Sequence, residues 1–289
     1  MTRALVLAGG GAAGNAWELG LIAGLSDGGV DVTAADLIVG TSAGSTVAAQ
    51  ITGGVSAAQL YGAILAEAPP ARSASHRPRP APVPGPSYLD WSNAIIAASA
   101  DPADMRRRIG AAARERAVAN HADADRWRQI VARRLPSPRW PAQRVVIVAV
   151  DADSGDPIVF DRDSGVELVD AVAASTSAMT PYRIGQRLYL NGGYRRSENA
   201  DLAEGCRRVL VLSPFSGRSR MPGEWRMDLA AQVDDLRAGG SLVETVFPDA
   251  GAGDVFDANA LDPATRRPAA RGGHAQGRAL AGRLADFWR

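Results

Sequence analysis

The chain has 289 residues, 46% of them hydrophobic and 22% charged, with a formal net charge of +1. These proportions allow a sizeable core and exclude a disordered chain, while the near-neutral balance supplies no global field for nucleic acid. The lone Cys206 precedes an apolar run and reads as a buried free thiol, which excludes a disulfide framework.

In chain order, Met1-Thr2-Arg3 enters the apolar run Ala4 to Ala8, too short for a signal peptide or membrane span, so a cytoplasmic protein is expected. That run ends in glycine and predicts a buried parallel strand feeding a tight turn. From Asn15 onward, Trp17, Leu21, Ile22 and Leu25 recur at helical spacing until Gly28-Gly29. The same grammar repeats. Asp36 to Val39 predicts a strand, Gly40-Thr41-Ser42-Ala43-Gly44 a turn, and Val47, Ala48 and Ile51 a helix closed by Gly53-Gly54.

Prolines at 69, 70, 78, 80, 82, 84 and 86 then predict an extended loop, and residues 89 to 135 read as a helical cap. Strand signals return at 144–150, 158–160 and 208–212, with helices expected at about 166–178, 223–239 and 271–288. The alternation implies a single α/β domain over 1–289, a three-layer α/β/α sandwich with a largely parallel sheet and an insertion at about 69–140. A ligand site belongs beyond the carboxyl ends of such strands, where both glycine turns fall.

Gly40-Thr41-Ser42-Ala43-Gly44 fits G-x-S-x-G, in which Gly40 and Gly44 permit a strained elbow that lifts Ser42 out of the sheet. The earlier turn, Gly9-Gly10-Gly11-Ala12-Ala13-Gly14, exposes backbone N–H groups at a helix N-terminus, a setting that holds anions. Gly9, Gly11 and Gly14 also satisfy a dinucleotide fingerprint. That reading wants an acidic residue closing the second strand, and here Asp36 precedes the strand instead.

Strand-GGGAAG-helix followed by strand-GTSAG-helix resembles the patatin-like phospholipase family, its bacterial branch most of all, everywhere except the Pro-rich and cap region. The resemblance implies Ser42 as nucleophile, and Gly9, Gly10, Gly11 and Ala12 as the oxyanion hole. It also implies a partnering aspartate in an Asp-Gly-Gly or Asp-Gly-Ala element, with no histidine and no metal or organic cofactor. Tyr189-Leu190-Asn191-Gly192-Gly193 stands in that element's place, so Asn191 carries an amide where the family has a carboxylate. Ala13 departs from the Lys or Arg of many members. An amide has no useful basicity near neutral pH, so the chain either has lost or changed hydrolysis or is an Asp-to-Asn form stalled for structural work.

The implied function is acyl hydrolysis of a lipid ester through an acyl-Ser42 intermediate. Thioester or lactone hydrolysis and acyl transfer are variants of it, and a non-catalytic module binding an acyl ligand is its rival. His76, His121 and His274 read as surface or capping groups, and Asp151 and Asp153 as turn caps that stand in reserve as alternative bases. Arg106, Arg107, Arg108, Arg114, Arg116, Arg126, Arg128, Arg133 and Arg134 outnumber the acids of the cap. With Trp91, Trp127 and Trp140, that basic cap is a candidate for peripheral membrane contact, against the plainer reading that its tryptophans belong to the core.

Overall fold

A computed structural model describes residues 2–67, 85–120, 124–252, 255–257 and 259–289. Its strands are β1 (Arg3–Leu7), β2 (Leu37–Thr41), β3 (Arg144–Asp151), β4 (Pro157–Phe160), β5 (Tyr182–Ile184), β6 (Arg187–Asn191), β7 (Arg208–Leu212) and β8 (Leu242–Val246). The order β5-β6-β3-β2-β1-β7-β8 forms one sheet. Its five strands β3-β2-β1-β7-β8 are parallel, while β4, β5 and β6 join antiparallel beside β3. The sheet is thus mixed but mostly parallel.

Both faces of the parallel strands are apolar, as burial on both sides requires. Leu5, Leu7, Ile38, Val145 and Ile147 face one layer, built from α1 (Gly11–Asp27), α2 (Ala43–Ile51), α3 (Ala57–Ala66), α7 (Leu168–Ser175) and α9 (Arg266–Trp288). Ala4, Val6, Leu37, Val39, Val146 and Val148 face the other, thinner layer of α8 (Leu229–Ala238) and the segment around residues 200–206. Three layers result. In the thick layer α1 and α9 meet backbone to backbone: a Cβ on Gly24 would lie 2.2 Å from the His274 carbonyl, and one on Gly277 would lie 2.3 Å from that of Leu21.

Between α3 and β3 lie α4 (Gly85–Ala97), α5 (Pro102–Asn120) and α6 (Ala124–Ala132). Most of the Pro-rich stretch falls outside the described residues, but Pro86 stands in the first turn of α4, where a missing N–H costs no helical bond. The α4–α5 pair shares a core with Val150, Leu190, Tyr194 and Met227, so it rests on the carboxyl end of β3. Trp127, Trp140 and Trp91 are partly buried against core clusters, and the indole N–H groups of Trp127 and Trp140 donate to Ala173 O at 3.2 Å and Val166 O at 2.7 Å. Several cap arginines are likewise engaged, Arg108 with Asp104 at 2.7 Å and Arg128 with Asp170 at 2.8 Å. Among the described residues, no helix is long and apolar enough to cross a membrane.

One detail of register positions the site. Because β4 pairs with Ile147–Val150 along one edge of β3, the opposite edge takes β2 as far as Val148 and β6 from Ala149 onward. Thr41 is then opposite Val148, and Asn191 opposite Ala149. Two strands far apart in sequence end against neighbouring residues of β3.

Candidate functional site

Ser42 follows β2 directly, with φ 53 and ψ −117, a conformation that a side chain adopts only under constraint from its surroundings. Three contacts supply the constraint. The Ser42 N–H donates to Ser175 Oγ at 2.9 Å, the Ser45 hydroxyl donates to Ser42 O at 2.6 Å, and the Gly44 N–H donates to Ala8 O at 3.0 Å. Position 44 lies so close to β1 that a Cβ would stand 2.1 Å from Leu7 O, which excludes any side chain. A Cβ on Gly40 would meet Ser45 Cα at 2.7 Å, so the other elbow glycine is equally confined.

The glycine turn runs alongside. Its helix begins earlier than the periodicity suggests, at Gly11 rather than near Asn15, so the turn itself opens α1. The Gly9 N–H donates to Ser197 O at 3.3 Å and that of Ala13 to Ala260 O at 3.0 Å. Gly9 therefore contributes proximity to Ser42 rather than a free donor: a Cβ on it would touch Ser42 Cβ at 3.4 Å. The N–H groups of Gly10, Gly11 and Ala12 meet no acceptor among the described residues, and all three residues line the cavity that holds Ser42. Gly10 is wedged against Pro214, whose Cβ would lie 2.7 Å from an added Cβ. Donors at a helix N-terminus suit a developing oxyanion.

Asn191 ends β6 beside the elbow, and its Nδ2 donates to Ser42 Oγ at 2.9 Å. The orientation of the amide follows from its other end, since Asn191 Oδ1 accepts the Gly193 N–H at 2.9 Å and must therefore be the oxygen. Ser42 Oγ is thus an acceptor in this pair, and among the described residues no carboxylate or imidazole accepts its proton. Asn199, wholly buried with φ 56, braces the arrangement by donating to Thr41 Oγ1 at 3.0 Å and to Gly192 O at 3.2 Å. Only the folded chain assigns Ser175 and Asn199 to the elbow.

The cavity around these groups has a volume of about 1620 Å³ and an apolar wall that includes Met179, Leu188, Phe215, Met221 and Phe256, with Tyr88 and Leu89 contributed by the cap. That exceeds the ordinary span of small-ligand pockets and leaves room for a long chain.

The other sequence candidates lie elsewhere. His274 stacks on Tyr61 with ring centroids 4.5 Å apart and contacts Asp27 at 2.8 Å on the outer face of α1 and α9. His76 and His121 lie outside the described residues. Asp151 Oδ1 closes a turn by accepting the N–H groups of Asp153 and Ser154 at 2.9 and 3.0 Å, Asp153 pairs with Arg114, and neither carboxylate has a hydrogen bond to Ser42. Among the described residues, no group of His, Cys, Asp and Glu is placed to hold a metal ion. The dinucleotide reading finds no carboxylate where β2 ends, because Thr41 and Ser42 occupy that place. Glu198, unremarked in the sequence, is buried with its pKa raised to about 7 by desolvation, against hydrogen bonds from Ser213 and Gln232.

No protein-family model matches the chain, and no curated protein matches it by sequence. Among solved structures it is similar to VipD from Legionella pneumophila, at 13% identity and a TM-score of 0.45 over 98% of this chain and 67% of that one. It is also similar to the type III effector protein ExoU, at 20% identity and a TM-score of 0.40 over 96% of this chain and 53% of that one. The chain thus spans about half the length of ExoU.

Proposed function

We propose that this chain is a serine acyl hydrolase of the patatin-like phospholipase type, held in an impaired state by Asn191. The observation that carries the reading is the hydrogen bond from Asn191 Nδ2 to Ser42 Oγ at 2.9 Å, which joins the two motif positions beside free N–H donors. With a carboxylate at position 191, the Ser42 proton passes to it as Oγ attacks an ester carbonyl. The tetrahedral oxyanion is received by the N–H groups of Gly10, Gly11 and Ala12. Collapse expels the alcohol, which takes the proton back, and water repeats the cycle on the acyl-enzyme. No cofactor enters these steps.

In the amide form the first proton transfer has no acceptor, so acylation slows by roughly two to four orders of magnitude while binding persists. The test is labelling by a fluorophosphonate probe and acyl-enzyme formation from a short activated ester, measured for the chain as it stands, for Asn191→Asp and for Ser42→Ala. The Asn191→Asp form is expected to be labelled at Ser42 and to exceed the others; equal rates in Asn191→Asp and Ser42→Ala, with all three folded, overturn the dyad. A second reading has one observation in its favour. The amide donates to the serine oxygen and so makes a settled polar pair, as a non-catalytic module that binds acyl ligands would have. Silence of folded Asn191→Asp toward the probe favours that module.

A further inference from the structure

Positive charge is concentrated in the cavity of Ser42. Among the described residues, a chain of formal charge +1 places six arginines on its wall and, as carboxylates, only Glu67 and Asp257. Two of the six are neutralised: Arg266 holds Glu67 through contacts of 2.9 to 3.1 Å, and Arg114 pairs with Asp153. Arg134 is one of four left without an ion pair among the described residues, with Arg183, Arg218 and Arg220. Its guanidinium lies 5.4 Å over the ring of Trp127, and no carboxylate of the described residues comes within ion-pair distance of it. Protein surrounding the Arg134 side chain, and then Arg266 beside it, push its pKa below the ordinary guanidinium value, with Glu67 opposing. A guanidinium remains charged under such a shift. Among the described residues Glu67 acts on it only from beyond ion-pair distance, and Glu67 is itself held by Arg266.

Its place relative to the nucleophile follows from α2. Ser42, Thr46 and Gln50 recur every four residues along that helix, and all three line the cavity. Gln50 Nε2 donates to Arg134 O at 3.0 Å, Gln50 Oε1 accepts from Asn15 at 3.2 Å, and Asn15 Oδ1 accepts from Arg266 at 2.8 Å. Asn15 therefore holds the Arg266 guanidinium, and Gln50 the Arg134 backbone, near the far end of the helix from the elbow, about 12 Å of helical rise away, and Arg266 acts on the Arg134 side chain beside it.

We infer that this end of the cavity is an anion subsite, in which Arg134, with Arg266 beside it, receives a phosphate or carboxylate that the substrate carries roughly 12 Å from the carbonyl Ser42 attacks. Resting on the acyl hydrolase reading, the inference narrows the substrate to an ester with a distal anionic group, borne either by the acyl chain or by the leaving group.

Binding is measured first, on the chain as it stands and so independently of turnover, by calorimetry with decyl phosphate and with decanol. Decyl phosphate is expected to bind at least tenfold more tightly; Arg134→Ala, whose folding is checked by urea titration, abolishes the difference, and Arg134→Lys restores part of it. Equal binding of the two probes, or an Arg134→Ala variant that keeps the difference, overturns the subsite. Turnover is then followed in the Asn191→Asp background with three esters: p-nitrophenyl decanoate, the mono-p-nitrophenyl ester of decanedioic acid, and decanoyl glycerol phosphate. Arg134→Ala is expected to raise KM at unchanged kcat for one charged ester, which identifies the side that bears the anion, and to leave the neutral ester unaffected. Neutral turnover with no Arg134 dependence for either charged ester refutes the subsite and spares the hydrolase. Absence of all turnover, with phosphate binding still dependent on Arg134, refutes the hydrolase and spares the subsite.

Discussion

Whether position 191 bears an amide or a carboxylate decides which way the hydrogen bond to Ser42 runs, and the surrounding backbone serves either group. Gly193 N–H fixes one oxygen at 2.9 Å, so the second atom of the head group must point at Ser42 Oγ whichever element it is. The same position has a chemical hazard. Asn191 precedes Gly192, and such pairs deamidate when the glycine nitrogen attacks the side-chain carbon, releasing ammonia and leaving a succinimide that water opens to aspartate or isoaspartate. At φ −51 and ψ 131 the Gly192 nitrogen is turned away from the Asn191 side chain, and Gly192 itself is jammed against β3, where a Cβ would lie 2.2 Å from Val148 O. Ring closure therefore needs local unfolding. The expected outcome is that peptide mapping finds Asn191 intact after prolonged incubation of the folded protein and deamidated after the same incubation in urea. Comparable deamidation in both would mean that the β6 end is far looser than its hydrogen bonds imply, and any slow rise of hydrolysis in the amide form should be checked against that fraction.

Elements of the chain differ in how plainly the sequence announces them. β1, β2, β3 and β7 are short all-apolar runs closed by turn residues, and they form where those signals stand. The elbow and the glycine turn are equally readable, because a strand, small residues and a helix follow one another without a gap. β8 went unseen: LVETV carries Glu244 and Thr245 at an edge, where Glu244 pairs with Arg283 of α9 at 2.7 Å instead of entering a core. The three residues of β5 are too few for any period. The first turn of α1 was hidden because glycine and alanine add nothing to an apolar stripe, and Ser175, Asn199 and the pairing of Arg134 with Arg266 arise only from tertiary approach. Glycine shows the same contrast within helices. Gly44→Ala, with its Cβ 2.1 Å from Leu7 O, must force α2 away from β1 and is expected to cost several kcal/mol or prevent folding. Gly62→Ala, in α3 with nothing within 4 Å of the added carbon, should instead gain about 1 kcal/mol. Urea midpoints of the two variants check both; a mild Gly44→Ala would show that the elbow does not depend on contact with β1.

Across the whole molecule, Glu198 ties together segments that otherwise meet only through the sheet. Its carboxyl accepts from the Ser213 hydroxyl beyond β7 at 2.9 Å and from Gln232 of α8 at 3.4 Å, while Gln232 Oε1 accepts the Ala200 N–H at 2.7 Å. The adjoining Ser197 carbonyl holds the glycine turn through Gly9 at 3.3 Å. Burial raises the Glu198 pKa from 4.5 to about 7, more than the hydrogen bonds lower it. An acid with a raised folded-state pKa keeps its proton in the native protein over a range where the unfolded chain has released it. Its contribution to stability is therefore complete below about pH 4.5 and is lost as pH rises toward 7, by about 3 kcal/mol in all. Asp161 has the opposite sign, because the Ser164 hydroxyl lowers its pKa, and its contribution disappears only in acid below the usual carboxylate range. The two windows do not overlap. Urea denaturation at pH 5 and pH 8 should accordingly show the parent chain losing about 2.5 kcal/mol more than Glu198→Gln, a neutral mimic of the protonated side chain whose comparison cancels every other titration. Parallel pH profiles for the two proteins would mean that Glu198 titrates alike in both states, and that the carboxyl between β7 and α8 is hydrated rather than sealed.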